Sequence, residues 1–180
     1  MVLNTTRPGP KSQAIIDRDS VIMTGALTPR YPFVIERGEG ARVWDVDGQE
    51  YIDFAAGIAV TSTGHSHPKV VEAIIEQSKK FIHIAGNDYY YDVQVKIAEK
   101  LAEIAPFDEP ARVFLTNSGT EAVEGALKLA RWYTRRHQVI AFYGAFHGRT
   151  MGALSLTSSK IPQRDGFLPL VPGVHHVPYN

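Results

Sequence analysis

The sequence predicts an α/β fold in which a small antiparallel meander precedes a parallel sheet packed against helices. Two observations lead to this prediction. Short runs of β-branched and aromatic residues follow one another between residues 33 and 54, and strand-like and helix-like runs alternate from residue 68 to residue 177. Alternating strands and helices are typical of a parallel sheet with helices packed on it. No internal repeat or low-complexity tract interrupts this order.

The meander is predicted from three short runs with turn residues between them. The strands are expected at residues 34–36, 42–46 and 50–54, separated by glycines 38 and 40 and by an Asp-Gly pair at 47–48. Such a pair between strand-like runs is typical of a hairpin turn, because the turn's positive φ angles favour these residues. Before the meander, residues 1–11 are expected to form a polar arm and residues 12–23 a short helix.

Helices and single strands alternate in the remainder of the chain. Pro68 suits the first position of a helix, and apolar residues recur at helical spacing from Val71 to Ile82. Pro106 ends a second helix, which is predicted over residues 91–105. The other predicted elements are a buried strand at 112–116, a helix at 118–135, a strand at 139–143, a short helix within 144–155 and a strand at 174–177.

The composition argues against several classes of function. Lys plus Arg number 19 and Asp plus Glu number 19, so the net charge is zero, whereas nucleic-acid binding usually needs a basic excess. Without cysteine the chain has no disulfide and no thiolate metal site. No apolar run approaches the roughly 20 residues of a membrane span, and no signal-peptide pattern opens the chain. We therefore expect a cytoplasmic protein that binds neither nucleic acid nor membranes.

A candidate anion site lies where the strand at 112–116 runs into the next helix. Asn117-Ser118-Gly119-Thr120 forms this junction. The first amides of a helix lack internal partners and carry partial positive charge, so a phosphate binds well there. Gly119 permits close approach, and the hydroxyls of Ser118 and Thr120 add donors. The same residues also fit an ordinary helix cap, with Ser118 and Glu121 as a capping box. Spacing alone leaves both interpretations open.

A second candidate site follows the strand at 139–143. Phe146, His147 and Arg149 lie in a turn flanked by Gly144 and Gly148. An aromatic face suits a planar ring, and the arginine fork matches a carboxylate. The alternative interpretation makes Phe146 a core aromatic and Arg149 a surface charge.

Three segments resemble the class-III (ω-type) aminotransferases, which use pyridoxal 5'-phosphate (PLP) on a fold-type-I scaffold. They are residues 117–131, residues 146–150 (Phe-His-Gly-Arg-Thr), and residues 43–60 with the Gly-His-Ser-His-Pro turn at 64–68. The resemblance implies that Ser118, Gly119 and Thr120 hold the cofactor phosphate. It implies stacking of Phe146 on the cofactor ring, with His147 beside it or purely structural. It also implies that Arg149 binds the substrate carboxylate and that Ile58 lies at the substrate pocket.

The two histidines of the Gly-His-Ser-His-Pro turn, His65 and His67, do not predict a metal site. A structural or catalytic metal centre needs at least a third protein ligand, and none is evident nearby in the sequence. We interpret this stretch as a turn that leads into the helix at Pro68.

The resemblance also implies a domain plan of which this sequence holds the front part. Residues 1–66 would be the N-terminal arm and small-domain segment, and residues 67–180 the first part of the PLP-binding large domain. In the family the Schiff-base lysine and the carboxylate beside the pyridine nitrogen lie well downstream. Lys160 and Asp165 lack that context. We therefore expect a fragment with no catalytic residue of its own, binding PLP weakly and not transaminating alone.

Three functions remain open on these motifs. The first is an aminotransferase that moves the amino group of an ω-amino acid, such as 4-aminobutyrate or an ornithine-type donor, to a 2-oxo acid. The second is an amino-acid racemase on the same scaffold, because residues 8–11 and 15–19 resemble the leader segment of racemase-type members. The third is a non-catalytic protein that keeps the scaffold for binding. The family's active sites lie at a subunit interface, which implies a homodimer for the complete protein.

Overall fold

The computed structural model describes residues 8–26 and 31–180, which form two compact units divided between Tyr89 and Tyr90. Most of the predicted polar arm, residues 1–7, lies outside the described residues. The predicted domain boundary at residues 66 and 67 belongs to the family's complete domain plan, and it stays a prediction.

The first unit opens with helix α1, Pro10–Ile22, which begins two residues earlier than the sequence suggests because proline suits the first helical turn. Its N-cap, Gly9, offers no side-chain acceptor. Asp47 serves instead: its carboxylate accepts the amides of Lys11 and Ser12, both at 2.9 Å. Hydrogen bonds from Ser12 and from the Lys11 amide hold the pKa of Asp47 below its ordinary value. Helix α1 is thereby fixed to the meander.

The predicted meander is present as three antiparallel strands in the order β1-β2-β3. They are Ile35–Glu39, Arg42–Asp45 and Glu50–Ile52. The turn between β2 and β3 has Gly48 at a φ of 87°, as the Asp-Gly pair predicts. Asp45 stabilises that turn, since its buried carboxylate accepts the amides of Asp47 and Gln49 and the hydroxyl of Tyr51.

A single left-handed turn, Ala56–Ala59, follows the meander, and the sequence did not predict it. All four residues have positive φ angles, of 46°, 63°, 64° and 65° in chain order. Left-handed backbone costs an L-residue about 1–2 kcal/mol, so neighbouring groups must hold the turn in place. Asp53 does this at its start, because one carboxylate oxygen accepts the amides of Ala55 and Ala56 at 2.8 and 2.9 Å.

The Gly-His-Ser-His-Pro stretch is a turn, and His65 connects it to the meander. The backbone of His65 pairs with Gly40, and its Nε2 lies 2.6 Å from the second carboxylate oxygen of Asp53. A Cβ at Gly38 would lie 2.7 Å from the His65 ring, so only glycine leaves room for it. The bond to His65 is the main cause that lowers the pKa of Asp53. Helix α2, Pro68–Lys80, then begins at the predicted proline.

The second unit carries the parallel pairing that the alternating pattern predicts. Its helices are α3, Asp92–Ile104, α4, Gly119–Thr134, and α5, Met151–Leu156. Strand β4, Val139–Phe142, pairs in parallel with β5, Val174–Val177. A short 3-10 helix, Ile161–Gln163, lies between α5 and β5. Helix α4 therefore precedes β4, and the turn after β4 leads into α5.

The predicted buried strand at 112–116 does not form among the described residues. These residues pair with no strand, and Phe114 is 77% exposed. A strand needs a hydrogen-bonded neighbour, and none of the described strands pairs with this segment, which instead has Phe114 beside Gly125 of α4. Its apolar composition is typical of a buried strand, but among residues 8–26 and 31–180 no strand pairs with it.

The best-packed part of the second unit surrounds α5. Ala153, Leu154 and Leu156 of this helix are buried, as are Leu127 of α4 and Ala141 of β4. The packing fixes the two loops that precede α4 and α5. Among the described residues, no helix is long and apolar enough to cross a membrane.

Candidate active site

The junction before α4 forms the capping box that the sequence allows. Ser118 is the N-cap in extended conformation, and its hydroxyl oxygen accepts the amide of Glu121 at 3.4 Å. The Glu121 carboxylate in turn accepts the amide of Asn117 at 2.7 Å. These two bonds orient the loop at residues 117–120, which we call the phosphate loop.

The capping box leaves the anion-binding groups of the phosphate loop free. Among the described residues, no acceptor reaches the amides of Gly119 and Thr120. A Cβ built on Gly119 would meet no atom within 4 Å, so the space beside it is open. The hydroxyl hydrogen of Ser118 also has no acceptor in the described part of the chain. Two first-turn amides and one hydroxyl therefore fit a phosphate group.

The second predicted segment forms a loop at residues 143–150, which we call the arginine loop. Phe146 is 56% exposed, and no other ring of the described chain lies against it. Arg149 is exposed, and its guanidinium forms no ion pair within the residues that the structure covers. An aromatic face and an unpaired guanidinium are therefore available to a ligand. The interpretation of Phe146 as a core residue does not agree with this exposure.

Two side chains at the end of α5 fix the backbone of the arginine loop. Thr157 is fully buried, and its hydroxyl oxygen accepts the amides of His147 and Gly148 at 2.9 and 3.2 Å. Ser158 accepts the amide of Gly144 at 3.0 Å and donates to the carbonyl of Phe142. His147 is half-buried, and its backbone is bound in this way while its ring forms no hydrogen bond with the described chain.

The phosphate loop and the arginine loop contact each other directly. The hydroxyl oxygens of Thr120 and Thr150 lie 2.7 Å apart. Gly148 has a φ of 138°, and a Cβ there would overlap the Thr120 side chain. Arg149 therefore lies between two residues that both contact Thr120. The structure thus brings together Ser118, Gly119, Thr120 and Arg149 in one unit.

Glu124 of α4 also takes part in this contact. Its Oε1 accepts the hydroxyl of Thr150 at 2.6 Å and the amides of Gly152 and Ala153 at 2.8 and 3.1 Å. It thereby caps α5, whose own N-cap side chain makes no capping bond. The bond from Thr150 is the main cause that holds the pKa of Glu124 below its ordinary value.

The sequence motifs assign no role to Glu124, Thr150 or Thr157. In the sequence Glu124 resembles any exposed glutamate of an amphipathic helix, and the groups that donate hydrogen bonds to it lie 26 to 29 residues away. The sequence contains no signal for this contact, because the N-cap of α5 is Thr150, a residue that ordinarily caps a helix with its own hydroxyl.

Ile58 belongs to the other unit, on the left-handed turn. Its side chain is 92% exposed. Arg149 lies in the second unit, and a place for Ile58 in the substrate pocket stays a prediction.

Comparison with known proteins identifies the family. A family model described as aminotransferase class-III matches residues 25–180. The chain belongs to the class-III aminotransferase family. This confirms the resemblance inferred from the phosphate-loop and arginine-loop motifs.

Curated members of this family are similar along most of the chain. An acetylornithine aminotransferase of Methanopyrus kandleri is 56% identical over 150 residues, 83% of this chain and 38% of that protein. A 4-aminobutyrate aminotransferase of Mycobacterium bovis is 41% identical over 176 residues, 98% and 39% of the two chains. An alanine/serine racemase of Pyrococcus horikoshii is 41% identical over 173 residues, which are 96% of this chain and 36% of that protein. The chain thus spans 36% to 39% of the length of these class-III relatives.

Solved structures show the same fold. The ornithine aminotransferase of Toxoplasma gondii superposes with a TM-score of 0.84 at 32% identity, over 93% of this chain and 40% of that one. A taurine:2-oxoglutarate aminotransferase of Bifidobacterium kashiwanohense was solved in complex with PLP and glutamate. It superposes with a TM-score of 0.83 at 28% identity, over 94% of this chain and 38% of that one. The fold-type-I prediction is confirmed for this class-III chain.

Proposed function

We propose that the intact protein is a PLP-dependent aminotransferase, and that this chain supplies its phosphate and carboxylate sites. One observation carries the proposal: two first-turn amides and an arginine that have no partner among residues 8–26 and 31–180 lie on loops that contact each other. Membership of the class-III family supports the same conclusion. A complex of PLP with an amino acid presents a phosphate at one position and a carboxylate at another, and both are anionic.

Each residue has a distinct proposed task. The amides of Gly119 and Thr120 and the hydroxyl of Ser118 bind the cofactor phosphate. Phe146 offers its exposed face to the cofactor ring, and His147 lies next to it in the loop. Arg149 binds the substrate carboxylate through two parallel hydrogen bonds, and Ile58 borders the substrate. PLP, when bound, supplies an electron sink for the bonds at the substrate's amino-bearing carbon.

The proposed donor is an ω-amino acid such as 4-aminobutyrate or an ornithine-type compound, with a 2-oxo acid as acceptor. The names of the relatives support this choice, since they include 4-aminobutyrate, acetylornithine and ornithine aminotransferases. We assign no lysine of this chain to the covalent bond with the cofactor. The family resemblance further supports a homodimer for the intact protein and a 180-residue chain that does not transaminate alone. The composition supports a cytoplasmic location.

An amino-acid racemase is the second candidate, and the racemase of Pyrococcus horikoshii favours it because the similarity extends over 96% of this chain. Both activities remove the proton at the amino-bearing carbon, so the phosphate and arginine loops serve either. A racemase returns the proton to the opposite face without a 2-oxo acid. Incubation of one enantiomer with and without 2-oxoglutarate, followed by chiral chromatography, distinguishes the two candidates.

The variant Gly119→Ala tests the phosphate site in the intact protein. The added methyl group meets no protein atom within 4 Å, so the fold should tolerate it. It would occupy the space in which the phosphate must approach the amides. We expect the dissociation constant of PLP, measured by absorbance titration, to rise about tenfold or more, which corresponds to about 1.4 kcal/mol.

The matched control is Gly25→Ala, because Gly25 also has open space around it and an ordinary φ. This control should leave both PLP affinity and the midpoint of thermal unfolding unchanged. If Gly119→Ala binds PLP as tightly as the parent protein, residues 117–120 are only a helix cap, and the proposed phosphate site is wrong.

A further inference from the structure

Three side chains form a continuous chain of hydrogen bonds that links the phosphate loop, the arginine loop and α4. The hydroxyl oxygen of Thr120 lies 2.7 Å from that of Thr150, which lies 2.6 Å from Oε1 of Glu124. The amide of Thr150 also donates to the Thr120 hydroxyl oxygen at 3.4 Å. The sequence motifs assign a cofactor contact to Thr120 but no role to Thr150 or Glu124.

The chemistry of the three groups fixes the direction of these bonds. Glu124 is ionised near neutral pH, so it can only accept, and the single hydroxyl hydrogen of Thr150 must point to it. The oxygen of Thr150 is then an acceptor, and the hydrogen between the two threonines must come from Thr120. The bonds therefore run from Thr120 to Thr150 to Glu124. Thr120 has no hydroxyl hydrogen left for another acceptor.

We propose that Thr120 and Thr150 are positioning residues that lock the phosphate loop to the arginine loop, and that the Thr120 hydroxyl does not bind the phosphate. This inference rests on the proposed function for its consequences, but its hydrogen bonds are independent of it. The phosphate would then depend on the two amides and on Ser118. Arg149, next to Thr150, would owe its placement to the phosphate loop.

Two glycines show that the lock is tightly packed. A Cβ at Gly148 would overlap Thr120 and lie 3.0 Å from the Cβ of Ala153. A Cβ at Gly152 would overlap the Glu124 carboxylate. Any side chain at either position would push apart the groups that the hydrogen bonds join. The absence of a Cβ at both glycines is what allows the two loops to approach so closely.

The test is a double-mutant cycle with Thr120→Val and Thr150→Val in the intact protein. Each valine keeps the shape of threonine and removes its hydroxyl. If the two hydroxyls serve one link, each single variant should raise the amino-acid dissociation constant about tenfold. The double variant should raise that constant by the same factor and no further. PLP affinity should not depend on Thr120 once Thr150 is valine. Thr120→Ser and Thr150→Ser should restore the parent's values, because serine keeps the donor and the acceptor.

The opposite result is equally specific. If Thr120→Val weakens PLP binding by the same factor in the presence and absence of the Thr150 hydroxyl, the Thr120 hydroxyl binds the phosphate directly and the proposal is overturned. Failure of the serine variants to restore amino-acid affinity would overturn it as well. Thr134→Val is the matched control, since this hydroxyl donates to the Ala130 carbonyl at the other end of α4.

A second measurement separates this inference from the proposed function. The same cycle is carried out on the cofactor-free protein, with the free energy of unfolding as the readout. Non-additive effects of the two valines on the free energy of unfolding support the lock. If the parent protein takes up no PLP, the proposed function is wrong, but the lock is still supported. Additive effects in unfolding would overturn the lock whether or not PLP binds.

Discussion

Arg149 is the residue to which the proposed function assigns the substrate carboxylate. Its guanidinium is exposed and unpaired within the described chain, so its charge is available to a carboxylate. We expect Arg149→Ala to weaken amino-acid binding by about tenfold to a hundredfold, because a charge-assisted bidentate pair is lost. PLP should remain bound. Titration of the holoenzyme with substrate checks both statements.

The control for this arginine is Arg136→Ala, which removes an exposed guanidinium that follows α4. It should leave substrate affinity unchanged. Equal substrate affinity in Arg149→Ala and the parent protein would exclude Arg149 from the pocket.

Glu124 gives the protein a defined acid sensitivity. Its pKa in the folded state is below the ordinary value of 4.5, mainly through the Thr150 hydroxyl. A lowered folded-state pKa contributes stability above about pH 4.5, and that contribution is lost as the pH falls through the folded-state pKa. We therefore expect the parent protein to exceed Glu124→Gln in free energy of unfolding at neutral pH, and the difference to shrink below pH 4.5. Urea unfolding across that range measures it, and a difference independent of pH would contradict the prediction.

At the scale of elements, Thr157 joins α5 to the arginine loop. Its buried hydroxyl accepts two loop amides and donates to the carbonyl of Gly148 or Ala153. Thr157→Val keeps the volume and leaves those amides without an acceptor. We expect a loss of about 1–3 kcal/mol in the free energy of unfolding. Thr157→Ser should retain most of the parent's stability, and equal stability of the valine variant would show that the loop does not depend on this hydroxyl.

The elements also show what the sequence could and could not predict. The meander, the helix starting at Pro68 and the helix that starts at the phosphate loop were predictable, because turn residues and helical spacing are local signals. The strand at 112–116 did not form, since strands depend on distant partners. The lock through Glu124 was not predictable for the same reason: it joins positions 26 or more residues apart. Local patterns located the candidate residues, and long-range contacts determine how they act together.

At the scale of the whole molecule, the apolar faces of α2 and α3 are left uncovered. On α2 they include Ile74, 63% exposed, and on α3 Ile104, 62% exposed. Ile74 belongs to the apolar stripe from which α2 was predicted. Apolar faces of this kind favour association. We expect the isolated 180-residue chain to self-associate and to bind a hydrophobic dye, as size-exclusion chromatography and fluorescence would show. A monodisperse chain with one cooperative unfolding transition would contradict this expectation.

The left-handed turn at residues 56–59 reverses the usual rule of chirality for a short stretch of chain. Three of its four residues are L-amino acids held in the conformation that their mirror images prefer. A D-alanine would be relaxed at position 56 or 59, where the natural enantiomer is not. Among encoded residues only glycine escapes this conflict, and the turn contains one glycine. The handedness of this loop is therefore imposed by its anchors, Asp53 above all, and is not a property of its own sequence.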